Sequence, residues 1–313
     1  MLCLHCQSRV EDGWWLFGAL VVSGLCDMVF LLPLWEKEDE ARQTGKDRRT
    51  SRGQNKRRGL AAGQAGELNM CGRFALTHSW EEMVEWYDLV MGEVTGEAVP
   101  PPRYNIAPSQ PIMMVENGPK GRSTLLVRWG LVPGWVKDPQ AFTLLINARS
   151  ETASEKPSFR TAMRHRRLLV PATGFYEWRR SGSKSQAFWV RPRDGSLLTF
   201  AGLMETWSSP DGSEIDTGCL LTTSANDGFA KIHHRLPVII RPDNFERWLD
   251  CMGQEPRDVK DLLEPVEDGF LEAIPVSDRV NKVANAGPDI QEPIDVEDVE
   301  IKKKKSDPQL SLF

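Results

Sequence analysis

This sequence is poor in several things that would assign it to a familiar class. It carries no surplus of positive charge: the net charge is -5 over 313 residues, so any nucleic-acid surface must be a local basic patch on an acidic body. It has no nucleotide-binding loop, no internal repeat and no residue cluster with metal-ligand spacing. Its six cysteines do not form a disulfide framework. Cys3 and Cys6 make a single C-x-x-C with no second pair, which argues against a zinc ribbon, and Cys71, Cys219 and Cys251 are too scattered to pair by design. Free thiols in a reducing cytoplasm are the natural reading. Tyrosine is scarce, three residues against eleven tryptophans, so flat aromatic surface for packing or stacking comes mostly from indole.

Long apolar runs are also rare. The one of membrane length, residues 13–35, is followed by a densely basic stretch from Arg42 to Arg58. At face value this is an anchor with a cytoplasmic linker. The competing reading is that residues 1–69 are absent from the working protein, with Met70 as its start. From Cys71 onward the chain changes character. Ser79 to Val90 has helical apolar spacing with Ser79 as N-cap. Short strand-like runs follow at Ile112–Val115, Thr124–Trp129, Leu168–Val170, Ala187–Val190, Leu197–Phe200 and Cys219–Thr223, separated by Gly and Pro. Pro242–Trp248 and Val259–Leu263 read as helical. The expected class is α+β, an antiparallel barrel-like β core with surrounding helices and a flexible C-terminal tail. The expected organisation is an extension over 1–69, one domain over 71–293 and a tail over 294–313.

Several polar groups interrupt apolar segments: Asn147 and Arg149 in Leu-Leu-Ile-Asn-Ala-Arg-Ser-Glu, Glu177 in Gly-Phe-Tyr-Glu-Trp, and His233, His234 and Arg235 before Leu-Pro-Val-Ile-Ile. Charge beside a buried strand is costly unless it is paired or functional. Each alone is more often structural. Their order is informative: Met-Cys-Gly-Arg-Phe from Met70, Tyr-Asn-Ile-Ala-Pro from Tyr104, Arg-Trp-Gly-Leu-Val-Pro-Gly-Trp from Arg128, Asn-Ala-Arg-Ser-Glu-Thr from Asn147, Gly-Phe-Tyr-Glu-Trp from Gly174 and His-His-Arg-Leu-Pro from His233. Ala201-Gly202-Leu203 and the segment Val276–Asn281 add to the set. In this order they resemble the SOS-response-associated peptidase (SRAP) family, the abasic-site processing proteins, over roughly Cys71 to Pro293.

The resemblance implies recognition of abasic sites in single-stranded DNA, and a covalent thiazolidine crosslink made by Cys71 as the first residue of the chain. An α-amine with pKa near ~8 is partly neutral at physiological pH and can attack the sugar aldehyde, after which the adjacent thiol closes the ring. An internal cysteine lacks that amine, which is the chemical reason to doubt that residues 1–69 persist. The same likeness implies that Asn147 holds the opened sugar, that Glu177 is the general acid/base, and that His233 assists proton transfer. His233 is favoured over His234 because the family's histidine sits two residues before the arginine. It further implies that Arg73, Arg149 and Arg235 bind phosphates, with Pro108 and Trp129 or Trp135 near the bases. For Trp129 a core role is as good a reading. No cofactor or metal is called for, and a monomer is expected. A peptidase activity releasing Cys71 from Met70 is the alternative within the family, alongside lyase-like processing of the lesion. A membrane-anchored, non-enzymatic binder using the whole chain is the alternative outside it. Gln309, Leu310, Leu312 and Phe313 at the C-terminus look like the short peptide by which bacterial repair proteins bind the sliding clamp. Together these features imply a cytoplasmic, nucleoid-associated protein.

Overall fold

A computed structural model describes residues 71–90, 101–182 and 184–295. The apolar segment 13–35, the rest of 1–69, and the tail motif at Gln309, Leu310, Leu312 and Phe313 lie outside the described residues. Among the described residues no helix is long and apolar enough to cross a membrane.

In chain order the strands are β1 Phe74–Leu76, β2 Arg103–Ile106, β3 Pro111–Gly118, β4 Gly121–Trp129, β5 Asn147–Arg149, β6 Arg167–Ala172, β7 Gly174–Ser181, β8 Lys184–Pro192, β9 Leu198–Ser208, β10 Glu214–Ser224, β11 Arg235–Pro237 and β12 Leu271–Val276. The helices are α1 Trp80–Tyr87, α2 Ser150–Ala153, α3 Arg160–His165 and α4 Phe245–Leu249. Strands β10, β4, β3, β6 and β9 pair in that order, and β9 pairs back to β10, so the ring closes. The second sheet runs β12-β8-β7-β1-β2 and is antiparallel throughout. The barrel-like α+β expectation holds, with one difference: β10 pairs in parallel with β4 and with β5. Alternation patterns carry no strand direction, so the sequence could not reveal this.

Closure explains the apolar composition of β3. Ile112, Met113, Met114 and Val115 are all buried, because both faces of the strand are covered. Met113 and Val115 pack in one cluster with Tyr87, Phe245 and Trp248 from the helical side. Ile112 and Met114 pack in the other with Phe74, Phe175 and Val190 from the second sheet. That second cluster is the one that reaches Cys71.

The helices are shorter than their patterns. Ser79 caps α1, as read, and the structure adds a capping box with Glu82, but the helix stops at Tyr87. Asp88 there takes a left-handed conformation (φ 51°), and Val90 turns to hydrogen-bond Arg122 across the bridge at Leu89. Pro242–Trp248 divides into a 3-10 turn, Pro242–Asn244, and α4; Val259–Leu263 is a 3-10 turn at Lys260–Leu263. Six strands, β1, β2, β5, β7, β11 and β12, have no counterpart among the runs read from sequence, and three of them (β1, β5 and β11) are only three residues long.

Candidate active site around Cys71

Cys71 lies three residues before the start of β1, and the way β1 pairs decides what the cysteine faces. Phe74 stands opposite Phe175 and Ala75 opposite Gly174 on β7, and Tyr176 donates its N–H to the Arg73 carbonyl. Continuing this track backward brings the Cys71 nitrogen to Glu177. Its N–H donates to Glu177 Oε2 at 3.1 Å, while the Trp178 N–H donates to Oε1 at 3.1 Å. Both groups are buried, Cys71 fully and Glu177 with 4% of its surface exposed. Burial pushes the carboxyl up to about 7, against the opposing pull of the two N–H donors and of the Arg180 charge. Burial, and then the neighbouring Glu177, push the Cys71 thiol well above its ordinary range. Cys71 also adopts φ 43°, a left-handed conformation that a non-glycine residue holds only at a cost.

Asn147 is carried by the barrel. It opens β5 opposite Leu220, half-buried, and the residue before it, Ile146, packs in the Cys71 cluster. The Ile146 carbonyl accepts both the Leu220 N–H and the Trp129 indole N–H, which fixes the strand's entry. Arg149 ends β5 exposed.

His233 is brought in by an aromatic contact. Phe229 lies 5.8 Å from Phe175, two residues before Glu177 on β7, and His233 hangs its backbone N–H on the Phe229 carbonyl. The Arg235 backbone N–H donates to His233 Nδ1 at 3.1 Å. A backbone N–H only donates, so the neutral ring carries its proton on Nε2. Burial, followed by the His234 ring and nearby arginines, lowers the His233 pKa and favours this neutral form. His234 is exposed, with its ring 4.4 Å from that of His233. Arg180, which the sequence reading did not single out, acts electrostatically on both Glu177 and His233.

The remaining candidates divide. Arg73 donates to Asn105 Oδ1, the Val280 carbonyl and the Asn281 carbonyl, all neutral oxygens that orient its charge without cancelling it. Asn105 is itself buried, and its amide spans the carbonyls of Val280, Lys282 and Asn285. It was legible only as a polar residue between apolar neighbours in Tyr-Asn-Ile-Ala-Pro. Arg235 is different: it forms a bidentate ion pair with Glu151. Pro108 is half-buried in a turn closed by Gln110 N–H to the Ala107 carbonyl. Trp129 is corrected: with no exposed surface it is core, edge-on to Phe74 at 5.1 Å, and cannot offer a stacking face. Trp135, 61% exposed and braced edge-on by Phe142, can.

Comparison with known proteins shows the family and the fold. The family model for SOS response associated peptidase (SRAP) matches residues 70–283. Abasic site processing protein YoqW of Bacillus subtilis is 37% identical over 224 residues, 71% of this chain and 99% of that protein. YedK of Escherichia coli is 29% identical over 228 residues (72% and 100%), and HMCES of Gallus gallus 32% over 227 residues (62% and 67%). A crystal structure of a Bacteroides thetaiotaomicron protein shares the fold, with TM-score 0.64 at 24% identity over 72% of this chain and all of that one. The chain belongs to the SOS response associated peptidase (SRAP) family.

Proposed function

We propose that this chain recognises abasic sites in single-stranded DNA and links to them covalently through Cys71, once everything up to Met70 has been removed. The observation that carries the reading is the Cys71 nitrogen held 3.1 Å from a buried carboxyl whose pKa lies near 7. Two further facts support it. The curated relatives are named abasic site processing proteins, and the family match begins at Met70, one residue before the cysteine.

The chemistry follows from the groups present. A free Cys71 amine and Glu177 share protons as a coupled pair, so Glu177 can hold the proton that leaves the amine neutral. The amine adds to the sugar aldehyde. Protonated Glu177 gives its proton to the departing hydroxyl, one water leaves and a protonated imine forms. The carboxylate then accepts the Sγ proton as sulfur adds to the imine carbon, whose π electron pair returns to the nitrogen as its lone pair. Burial keeps the thiol protonated until that step, so nitrogen attacks first. Asn147 and the Nε2–H of His233 hold the opened sugar, Arg73 and Arg149 attract the flanking phosphates, and Trp135 stacks on a neighbouring base.

A second reading, self-cleavage at Met70–Cys71, is favoured by the same contact. The carboxyl sits at the nitrogen that would leave when that bond is hydrolysed, beside a residue in a strained conformation. It complements the first, because its product is the amine the crosslink needs.

The test is a crosslinking assay with protein beginning at Cys71 and an oligonucleotide holding one abasic site. A denaturation-resistant adduct is expected, absent for Cys71→Ala and slowed by ~10²- to 10⁴-fold for Glu177→Gln. The same adduct formed by Cys71→Ala removes the proposed nucleophile.

A further inference from the structure

We infer that Trp207 and Thr217 are positioning residues: they clip the turn that carries Trp135 to the β9–β10 hairpin, so that the stacking face stands ready before DNA arrives. The consequence for DNA rests on the proposed function, but the geometry does not.

Trp135 lies on a long connection. The chain leaves β4 at Trp129 and enters its next strand at Asn147, so this loop also delivers the residue proposed to hold the sugar. A bridge between Leu131 and Leu145 draws its two ends together. Between them the backbone forms neither helix nor strand, and Trp135 stands out from it with 61% of its surface exposed. Such a ring stacks well only where the backbone beneath it is already fixed, because ordering a loop on binding subtracts from affinity.

The hairpin supplies the fixing. Strand β6 accompanies β9 only as far as Leu203, opposite Arg167, while β9 and β10 stay paired out to Ser208 and Glu214. This overhang carries Trp207. Its indole N–H donates to the Val136 carbonyl at 2.6 Å in a buried contact. The Val136 N–H donates to the Pro133 carbonyl at 3.0 Å, closing a four-residue turn with Trp135 in third place. Just ahead of the turn, the Val132 N–H donates to the Thr217 hydroxyl at 3.0 Å, and that hydroxyl donates to the Glu205 carbonyl at 3.0 Å. Thr217 is fully buried on β10 and stands opposite Glu205 on β9, so one hydroxyl ties the loop to both strands.

Packing repeats the pattern. Val132, Val136 and Trp207 form a small buried cluster with Phe142 against it, separate from the cluster that reaches Cys71. Three of the four belong to the loop, and Trp207 comes from the hairpin. Phe142 in turn meets Trp135 edge-on at 5.9 Å. A buried indole N–H is costly to leave unpaired, so the Trp207 bond holds the Val136 peptide, and with it the turn, in one orientation. Loss of a clip set apart from Cys71 acts on DNA affinity and not on the reacting groups.

The experiment is a double-mutant cycle on protein beginning at Cys71. Wild type, Trp207→Phe, Trp135→Ala and the double variant are compared by anisotropy with an intact single-stranded oligonucleotide, and by single-turnover crosslinking to an abasic one at varied DNA. Trp135→Ala is expected to weaken binding about 5- to 150-fold, the worth of one stacked base. Trp207→Phe keeps a ring but loses the N–H, and is expected to weaken binding about 2- to 10-fold, what ordering one flexible group costs. The crosslinking rate at saturating DNA should stay put in both. In the Trp135→Ala background the Trp207→Phe loss should vanish. Thr217→Val, which loses the hydroxyl, should behave as Trp207→Phe does, and Thr217→Ser, which keeps it, as wild type. Melting curves verify folding first; if Trp207→Phe does not fold, the two threonine variants run the same cycle. Trp207→Phe or Thr217→Val that leaves affinity unchanged, or weakens it by the same factor with and without Trp135, overturns the clip. So does a Trp135→Ala protein that binds as tightly as wild type. Wild type that binds DNA but forms no adduct would instead defeat the crosslinking reading, leaving the anisotropy cycle to decide the clip.

Discussion

At the residue scale the account turns on Glu177. In the full-length chain the Cys71 nitrogen is a peptide nitrogen, and burial raises the carboxyl to about 7. Between the ordinary carboxyl range and that value the folded state holds a proton that the unfolded chain has released. Raising pH through this window therefore removes stability, by up to roughly 3 kcal/mol. Thermal melts from pH 4 to pH 8 should show the wild type losing stability relative to Glu177→Gln, with the difference levelling off above pH 7. Parallel pH curves would mean the carboxyl titrates normally. The two tryptophans make a second contrast. Trp129→Ala should cost about 3–5 kcal/mol of folding stability. Trp135→Ala should leave the melting curve in place and cost about 1–3 kcal/mol of single-strand affinity, measured by fluorescence anisotropy. Asn147, Glu177 and His233 stood out in the sequence as polar groups in apolar runs, and the ordered motifs of the family resemblance singled out Cys71 and gave each of them its expected role. The partners of the arginines were not legible: Asn105 beneath Arg73, and Glu151 across from Arg235, are contacts between segments far apart in the chain.

At the element scale, β7 is the piece that matters, since it carries Glu177 and lies between β1 and β8. Its first residue allows the approach. A Cβ on Gly174 would lie 2.4 Å from the Val190 carbonyl oxygen and 2.7 Å from the Trp189 ring. Gly174→Ala must then push β7 off β8, costing about 1–3 kcal/mol and displacing Glu177 from Cys71. Crosslinking by the folded fraction, measured well below the melting temperature, should slow more than the stability loss accounts for; an unchanged rate would show that Glu177 is placed by something else. The sequence disclosed the long barrel strands, of which β3, β6, β9 and β10 carry runs buried on both faces, but not β7. That strand begins at a glycine and ends in Trp-Arg-Arg-Ser, with its polar half exposed, so it never reads as a buried run. The three-residue strands β1, β5 and β11 are too short for any period to show, and they exist because longer neighbours pair with them.

At the scale of the whole molecule, the proposed function asks an acidic chain to bind DNA through a few fixed charges, and asks the reactive residue to lead the chain. For the tail we propose a separable function, binding to a sliding clamp. Removing residues 296–313 should leave crosslinking to a short oligonucleotide unchanged, because the site lies wholly within the SRAP domain. The same deletion should abolish binding to a purified bacterial sliding clamp, measured by calorimetry, and with it any gain in local concentration at replicating DNA. Clamp affinity that survives the deletion would remove the tail's proposed role. The most direct test of the central claim is mass spectrometry of the crosslink after nuclease and protease digestion. The account predicts a peptide whose first residue is Cys71, heavier by the opened sugar less one water, and stable to borohydride because no imine remains. A crosslinked peptide that still contains Met70, or sugar attached to a lysine, would contradict it.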